Sequence, residues 1–321
     1  MFRELFRELY HRLKTAIHLS RVYQIRKAFG TPESLSRLNR HVLRMTSLDQ
    51  ASYFENYAKI FRNDAIGNVD AIWEVRFAGE TLLVPLKSAS LWLDWDYALT
   101  IAGHDADVKL GYLALLEGRN KPEMFLDVGT NYGSHSLIFL KSGVTTLSFE
   151  PNLSCHGYFS EICQLNSIAP RLISAAVGAA SGEITIAYPK TETWLASADP
   201  EIQARLREHH SLIEQKTPMV MLDEYLDEMR GKRVLLKIDT EGFELEVLKG
   251  AARLLAEVQP YVYFEALPNS SHGAEVTALL LAAGYQIVEA RRNPLSPEQQ
   301  FTSCDRATHN FLALPKKRWC A

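Results

Sequence analysis

The sequence predicts an α/β fold in which a mostly parallel sheet carries helices on both faces, and three observations point there. Beyond about residue 120, strand-length apolar runs alternate with helical patterns, the rhythm of a sheet wound with crossover helices. The run Phe125–Val128 breaks abruptly into the glycine-rich loop Gly129-Thr-Asn-Tyr-Gly133. Two further apolar runs end in the acids Glu150 and Asp239, at the strand ends where open α/β sheets bind ligands. The 321 residues divide into an N-terminal helical extension (1–68), a β-hairpin with a lead-in helix (69–120) and the α/β domain (121–321).

Residues 1 to about 30 read as an amphipathic helix. Phe2, Leu5, Phe6, Leu9, Tyr10, Leu13, Ala16 and Ile17 recur along one side. This stretch carries seven Lys or Arg against two Glu, a balance of +5, so the remainder holds −8 of a chain whose net charge is −3. Such a helix suits packing on the main domain or on a second copy, and it can also lie on an anionic membrane surface. Gly30-Thr31-Pro32-Glu33-Ser34 breaks it and starts helical patterning that runs to about Phe61. Ile72–Val84, with Ala78-Gly79-Glu80 at its middle, reads as a β-hairpin. Trp92, Trp95 and Tyr97 form an aromatic stretch, core or pocket wall. Asp107–Glu117 reads as a helix leading to the glycine loop.

In the α/β domain, strands are expected at 125–128, 146–149, 172–177, 234–238, 261–264, 286–288 and 310–314. Helices are expected at 134–141, 155–165, 245–255 and 274–283. Ile184–Tyr188 and Met219–Met221 suggest a small extra hairpin or edge. Between them Thr191–Gln215 is polar, charged and partly helical, a stretch suited to a lid or to a solvated excursion.

Composition narrows the class. A hydrophobic share of 47% supports a sizeable core. A net charge of −3 does not suggest a nucleic-acid binder with a strong electrostatic footprint. Cys155, Cys163, Cys304 and Cys320 form no CxxC pair and no zinc spacing, as expected of reduced thiols. No apolar run is long enough to span a bilayer, and the N-terminus lacks an uninterrupted signal-peptide core. A cytoplasmic location is expected, with the basic helix allowing peripheral contact at the inner membrane face.

The chemistry-bearing residues lie at strand ends. Gly129 and Gly133 let a ligand approach the main chain closely. Glu150 follows Gly129 by 21 residues, at the tip of the next strand, and Pro151 ends that strand. A carboxylate there offers two acceptors to the vicinal diol of a ribose. Together the loop and the acid indicate a nucleoside-containing cofactor. The dinucleotide fingerprint G-x-G-x-x-G is absent, and Asp127, two residues before Gly129, would repel a diphosphate. It suits a ligand with a cationic amino-acid end, such as S-adenosylmethionine. Farther on, Val234–Ile238 ends in Asp239 with Glu241 close behind, and Glu265 ends the following strand. Such a carboxylate group could serve as a general base or hold a hard metal ion. Glu244 and Glu246 read as a solvated or N-terminal helix turn, where the helix dipole favours acids.

Taken together, Phe125–Gly133, Ser148–Asn152, Val220–Tyr225 and Leu235–Ala251 resemble the FkbM family of S-adenosylmethionine-dependent methyltransferases. Asn166, Ala176-Val177-Gly178 and Asn310-Phe311-Leu312-Ala313 fit as well, so the resemblance covers roughly residues 120–315. It implies a Rossmann-like seven-stranded methyltransferase sheet. It also implies methyl transfer to a hydroxyl of a sugar, a glycan or a small natural product. The implied cofactor-binding set is Asp127, Gly129, Thr130, Asn131, Gly133, Glu150, Pro151 and Asn152. Within it, Asp127, Gly129, Asn131 and Gly133 meet the methionine end, Glu150 holds the ribose, and Asn152 lies nearby. Asp239 and Glu241 would face the transfer centre and, with Glu265, form the expected catalytic set. The polar residue often found after the third strand near adenine is replaced here by Val177-Gly178-Ala179, so the adenine contact is unassigned. Substrate choice is expected from the N-terminal region and from Thr191–Gln215.

A hydroxyl is a weak nucleophile near neutral pH, so a base is expected, Asp239 first and Glu265 second. His135, on the first turn of a helix, is expected to pack or bond locally, and His104 is an outside candidate. No metal is assigned, although the three carboxylates could supply oxygens. A nicotinamide oxidoreductase is the rival enzyme class, opposed by the missing third glycine and by Asp127. A non-catalytic nucleoside-binding domain is opposed by the intact loop with Glu150 and Asp239.

Overall fold

The computed structural model describes residues 70–87, 90–102, 105–266, 271–290 and 310–316. The helices expected before residue 62, together with His104, Cys304 and Cys320, lie outside the described residues. Two units are present. One takes in strand β1 (Asp70–Phe77) up to Arg76, β2 (Glu80–Lys87) from Thr81, and helix α1 (Leu91–Ala102). The other takes the hairpin tip Phe77–Glu80 and the described residues from Asp105 onward. The expected hairpin of β1 and β2 turns at Ala78 and Gly79, both at positive φ. In the first unit the aromatic stretch is helical, with Tyr97 buried. Asp94, also buried, accepts from the Lys87 amide at 2.7 Å and Ser90 Oγ at 3.0 Å.

Beyond the hairpin tip, the second unit comprises helix α2 (Ala106–Glu117) and a seven-stranded sheet with its connections. Its elements follow in chain order as β3 (Met124–Val128), α3 (Ser134–Lys141), β4 (Thr145–Phe149), α4 (Leu153–Leu165) and β5 (Arg171–Ile173). A three-stranded sheet follows, made of β6 (Ala176–Val177), β7 (Gly182–Pro189) and β8 (Leu212–Val220), with α5 (Pro200–Arg207) between the last two. Then come α6 (Leu226–Met229), β9 (Val234–Ile238), α7 (Glu244–Lys249), β10 (Tyr261–Glu265), α8 (Ser271–Ala282), β11 (Tyr285–Glu289) and β12 (Asn310–Pro315).

The strand order is β11-β12-β10-β9-β3-β4-β5. Only β12 runs antiparallel to its neighbours, so the sheet is mixed rather than wholly parallel. The order reverses between β3 and β9, and ligands of open α/β sheets bind at that switch point. Strands β3 and β9 are buried at every position, which explains why they read as continuous apolar runs. One face, with Leu126, Leu147, Leu236 and Val262, packs against Leu226, Leu248 and Leu280 of α6, α7 and α8. On the other face Tyr112 of α2 meets Phe125, Phe139 and Tyr263 edge to face. Helices therefore cover both faces, as expected.

Three expectations need correction. The run 172–177 is not one strand: Leu172 pairs with Ser148 in the large sheet, whereas Ala176 pairs with Met219 in the small one. The Ala175 amide bonds back to the Ile173 carbonyl at 2.9 Å, which turns the chain between sheets. The short strand expected at Met219–Met221 is the end of nine-residue β8, paired along its length with β7. Glu214 and Lys216 hid it, because one face of this strand is solvated. The helix expected over 245–255 stops at Lys249, and a π-helical turn spans Leu254–Val258. At Gly250 a Cβ would fall 1.9 Å from the Gly178 carbonyl oxygen, so the two segments touch backbone to backbone.

Candidate active site

The site forms at the carboxyl ends of β3, β4, β9 and β10. Parallel register sets Ser148, Asp127, Lys237 and Tyr263 side by side on one face of the sheet. Asp127 is 1% exposed. Its Oδ2 accepts from Ser136 Oγ of α3 at 2.6 Å, and that hydroxyl also lies 2.7 Å from Ser148 Oγ. Its Oδ1 has no hydrogen-bond partner and stands 4.0 Å from Lys237 Nζ. Burial raises the Asp127 carboxyl, while the charge of Lys237 and the bond from Ser136 oppose the rise.

The loop after β3 depends on its glycines. Gly129 has φ 84°, and a Cβ there would fall 1.7 Å from the Asp239 carbonyl oxygen. Gly133 has φ 81°, and its Cβ would enter the Phe159 ring. The Thr130 hydroxyl turns inward and donates to the Asp127 carbonyl at 2.8 Å. The Asn131 amide donates to Glu150 Oε2 at 2.5 Å, and the Asn152 amide to Oε1 at 2.7 Å. Each Glu150 oxygen thus holds one backbone amide and keeps a second lone pair. Burial pushes Glu150 up to about 7 against the pull of those amides. Asn152 caps α4 through its bond from the Ser154 amide, and its Nδ2 is buried without a partner. Pro151 contributes its carbonyl to Gln215 Nε2 at 2.6 Å.

The second loop adjoins the first. The Asp239 amide donates to the Val128 carbonyl at 3.0 Å, and Asp239 Oδ2 accepts from Lys237 Nζ at 2.9 Å. Glu241 occupies the left-handed region at φ 51°. Glu244 is 5% exposed, not solvated. One of its carboxylate oxygens accepts from the Thr240 amide, the Thr240 hydroxyl and the Gly242 amide. Its expected place in the first turn of a helix is correct, and Glu246 there pairs with Lys249. One oxygen each from Asp239, Glu241 and Glu265 lie within 4.8 Å of one another, close enough to share a cation. Burial and then the charge of Asp239 raise Glu241 to about 8 and Glu265 to about 9.

Beside Glu265, Asn310 of β12 donates to Asp105 Oδ1 at 3.1 Å. His135 shares a hydrogen bond with Tyr112 OH at 3.1 Å and faces Asp105 at 3.6 Å, the local role expected of it. Cys155 and Cys163 are buried free thiols.

The expected cofactor-binding set and the three carboxylates of the expected catalytic set therefore gather at the ends of four adjacent strands and the loops that follow them. What sequence reasoning missed is Lys237, 5% exposed between the two acids. The available signal was a lone lysine inside an otherwise apolar strand, since lysine is buried only when paired. The segment 191–215 was expected as a lid or a solvated excursion; many of its residues are exposed, and its base is tied to the small sheet and to the cofactor loop. A backbone bridge joins Ser197 to Ala187, and Gln203 Nε2 bonds the Thr185 and Ser197 carbonyls. Thr193 Oγ1 reaches Asn131 Oδ1 at 3.3 Å, so this segment forms an anchored rim. Among the described residues, no helix is long and apolar enough to cross a membrane.

Comparison with known families matches residues 127–287 to the methyltransferase FkbM domain. Among solved structures, a methyltransferase FkbM from Methylobacillus flagellatus is 17% identical with a TM-score of 0.40, covering 71% of this chain and 54% of its own. The chain therefore spans about half the length of that relative. A precorrin-6y C5,15-methyltransferase from Geobacter metallireducens is 11% identical with a TM-score of 0.32, covering 61% of this chain and 81% of its own. A SAM-dependent methyltransferase from Agrobacterium tumefaciens is 11% identical with a TM-score of 0.37, covering 80% and 72%. No curated protein sequence matches the chain.

Proposed function

Because the chain belongs to the FkbM methyltransferase family, we propose that it carries a methyl group from S-adenosylmethionine to a hydroxyl oxygen of a sugar, a glycan or a small natural product. The donor set supports that cofactor. Glu150 retains lone pairs on both oxygens, as a ribose diol requires, and Asp127 Oδ1 is a buried acceptor without a hydrogen bond. When bound, the cofactor supplies a sulfonium methyl that is already strongly electrophilic.

The observation that carries the reading is the contact between the two loops, where Gly129 leaves no room for a Cβ beside Asp239. A base on that strand tip adjoins the cofactor loop, so an acceptor held there needs little further alignment. Asp239 takes the acceptor proton, and Lys237 balances its charge at 2.9 Å. Burial and the charge of Asp239 favour the protonated forms of Glu241 and Glu265, which can donate hydrogen bonds to acceptor oxygens. Glu265, the second candidate base, is thereby assigned the donor role. Thr193, Ser197 and the rest of the anchored rim exclude water from one side.

The test is mass spectrometry of glycan and metabolite extracts incubated with protein and S-adenosylmethionine. The expected result is a product heavier by one net CH₂, lost in Asp239→Ala. Calorimetry showing no binding of S-adenosylmethionine, together with binding of NAD or NADP, overturns the reading.

A further inference from the structure

We propose that Lys237 is a positioning residue shared by the two halves of the site, a single buried cation that holds Asp127 on the cofactor side and Asp239 on the acceptor side in fixed relation. The inference rests on the proposed function and adds a residue to it.

Three observations carry it. Lys237 projects from β9 beside Asp127 of β3, its register partner, and two residues before Asp239 on the same face. Its ammonium stands 2.9 Å from Asp239 Oδ2 and 4.0 Å from Asp127 Oδ1. Asp127 has no hydrogen bond on that oxygen and is almost wholly buried, so its charge there is balanced across the gap to Lys237. Burial alone would lower the Lys237 ammonium, yet the charges of Asp239 and then Asp127 outweigh it and raise the group. Without the lysine, two carboxylates on adjacent strand ends would face each other with no cation between them. One would then take a proton or swing away, and the site would lose either a cofactor contact or its base.

The test uses the full chain and S-adenosylmethionine as probe. Calorimetry is run first on the unaltered protein, where absence of binding refutes the cofactor reading rather than this one. Lys237→Met is expected to weaken binding roughly tenfold. Turnover should fall by more than about a hundredfold, the scale of a misplaced reacting group. Lys237→Arg, which keeps the charge, is expected to recover most of the affinity. Loss in only one of the two readouts assigns Lys237 to one carboxylate and overturns the shared role. A ligand-free arm compares melting of Lys237→Met in the unaltered, Asp127→Asn and Asp239→Asn backgrounds. The lysine change should cost less in both altered backgrounds, since residues in contact couple. Equal cost in either background overturns the proposal. If Lys237→Met alone does not fold, Asp127→Asn/Lys237→Met and Lys237→Met/Asp239→Asn should recover folding, and failure of either to do so counts against it.

Discussion

Ser197 Oγ donates to the Glu241 carbonyl across 2.7 Å, tying the small sheet to the loop that follows β9. Every polar atom of Ser197 is engaged: its backbone bonds Ala187 in both directions, and its hydroxyl also accepts from the Asp199 amide. Glu244 holds the amides of Thr240 and Gly242 on either side. Glu241 is thus fixed in a left-handed conformation that a residue with a Cβ adopts at a cost of about 1–2 kcal/mol.

Ser197→Ala should therefore act on Glu241 without touching the cofactor loop. Ser197 is 1% exposed, so its loss leaves a carbonyl short of its donor, at about 1–3 kcal/mol. A lower melting temperature and reduced turnover are expected, with affinity for S-adenosylmethionine unchanged in calorimetry. Ser197→Thr, which keeps the hydroxyl, should restore turnover. An affinity that falls in parallel with turnover would show that the rim acts on the cofactor side instead.

Gly129→Ala is expected to abolish cofactor binding. The new Cβ would lie 1.7 Å from the Asp239 carbonyl oxygen, and neither backbone segment has room to yield. Gly143→Ala supplies the control. It shares a positive φ, 74°, but its Cβ would meet nothing within 4 Å. That variant should lose only the left-handed penalty of about 1–2 kcal/mol. Chemical denaturation and calorimetry of the pair separate backbone strain from the loop contact.

Much of this site could be read before the fold was seen. Strands β3, β9 and β10 are buried in the sheet, so their apolar runs announced them, and the acids at their ends marked the crevice. What stayed hidden depends on register or on distance along the chain. Lys237 gains its meaning only from standing beside Asp127 on the adjacent strand. Ser197 lies 44 residues from Glu241, and nothing in either neighbourhood links them. Most of strand β8, before Met219, escaped notice because Glu214, Gln215 and Lys216 spoil the apolar alternation, although Thr217 is buried.

Acidity should act on Glu150 in two opposing ways. Its carboxyl rises from 4.5 to about 7 on folding, chiefly through burial. A raised carboxyl binds more protons when folded, so its contribution to stability is complete below the unfolded value and is lost as pH climbs through the folded one. Ligand-free protein should therefore lose stability between about pH 4.5 and 7, and Glu150→Gln should make that decline shallower without abolishing it, since Glu241 and Glu265 contribute across the same window. Above it, the slope owed to Glu241 and Glu265 should persist, since these rise to about 8 and 9. Affinity for S-adenosylmethionine should change in the other direction, increasing as Glu150 ionises and becomes a full acceptor for the diol. Melting and calorimetry across the same buffers test both signs. A flat affinity profile would remove Glu150 from the cofactor site.

Methyl transfer should survive exhaustive EDTA treatment. Asp239, Glu241 and Glu265 bring oxygens within 4.8 Å of one another, a spacing a divalent ion could use. Hard cations bind ionised carboxylates, however, and the charge available here is small. Asp239 already meets the Lys237 ammonium at 2.9 Å, while burial raises Glu241 and Glu265 and so favours their neutral forms. A divalent ion would have to reverse that preference and compete with a buried lysine. Turnover should therefore be equal with EDTA, with magnesium and with manganese. Magnesium titrated calorimetrically into ligand-free protein should give no saturable heat at this site. Activity abolished by EDTA and restored by either metal would turn the three carboxylates into ligands, and the proton would then need another acceptor.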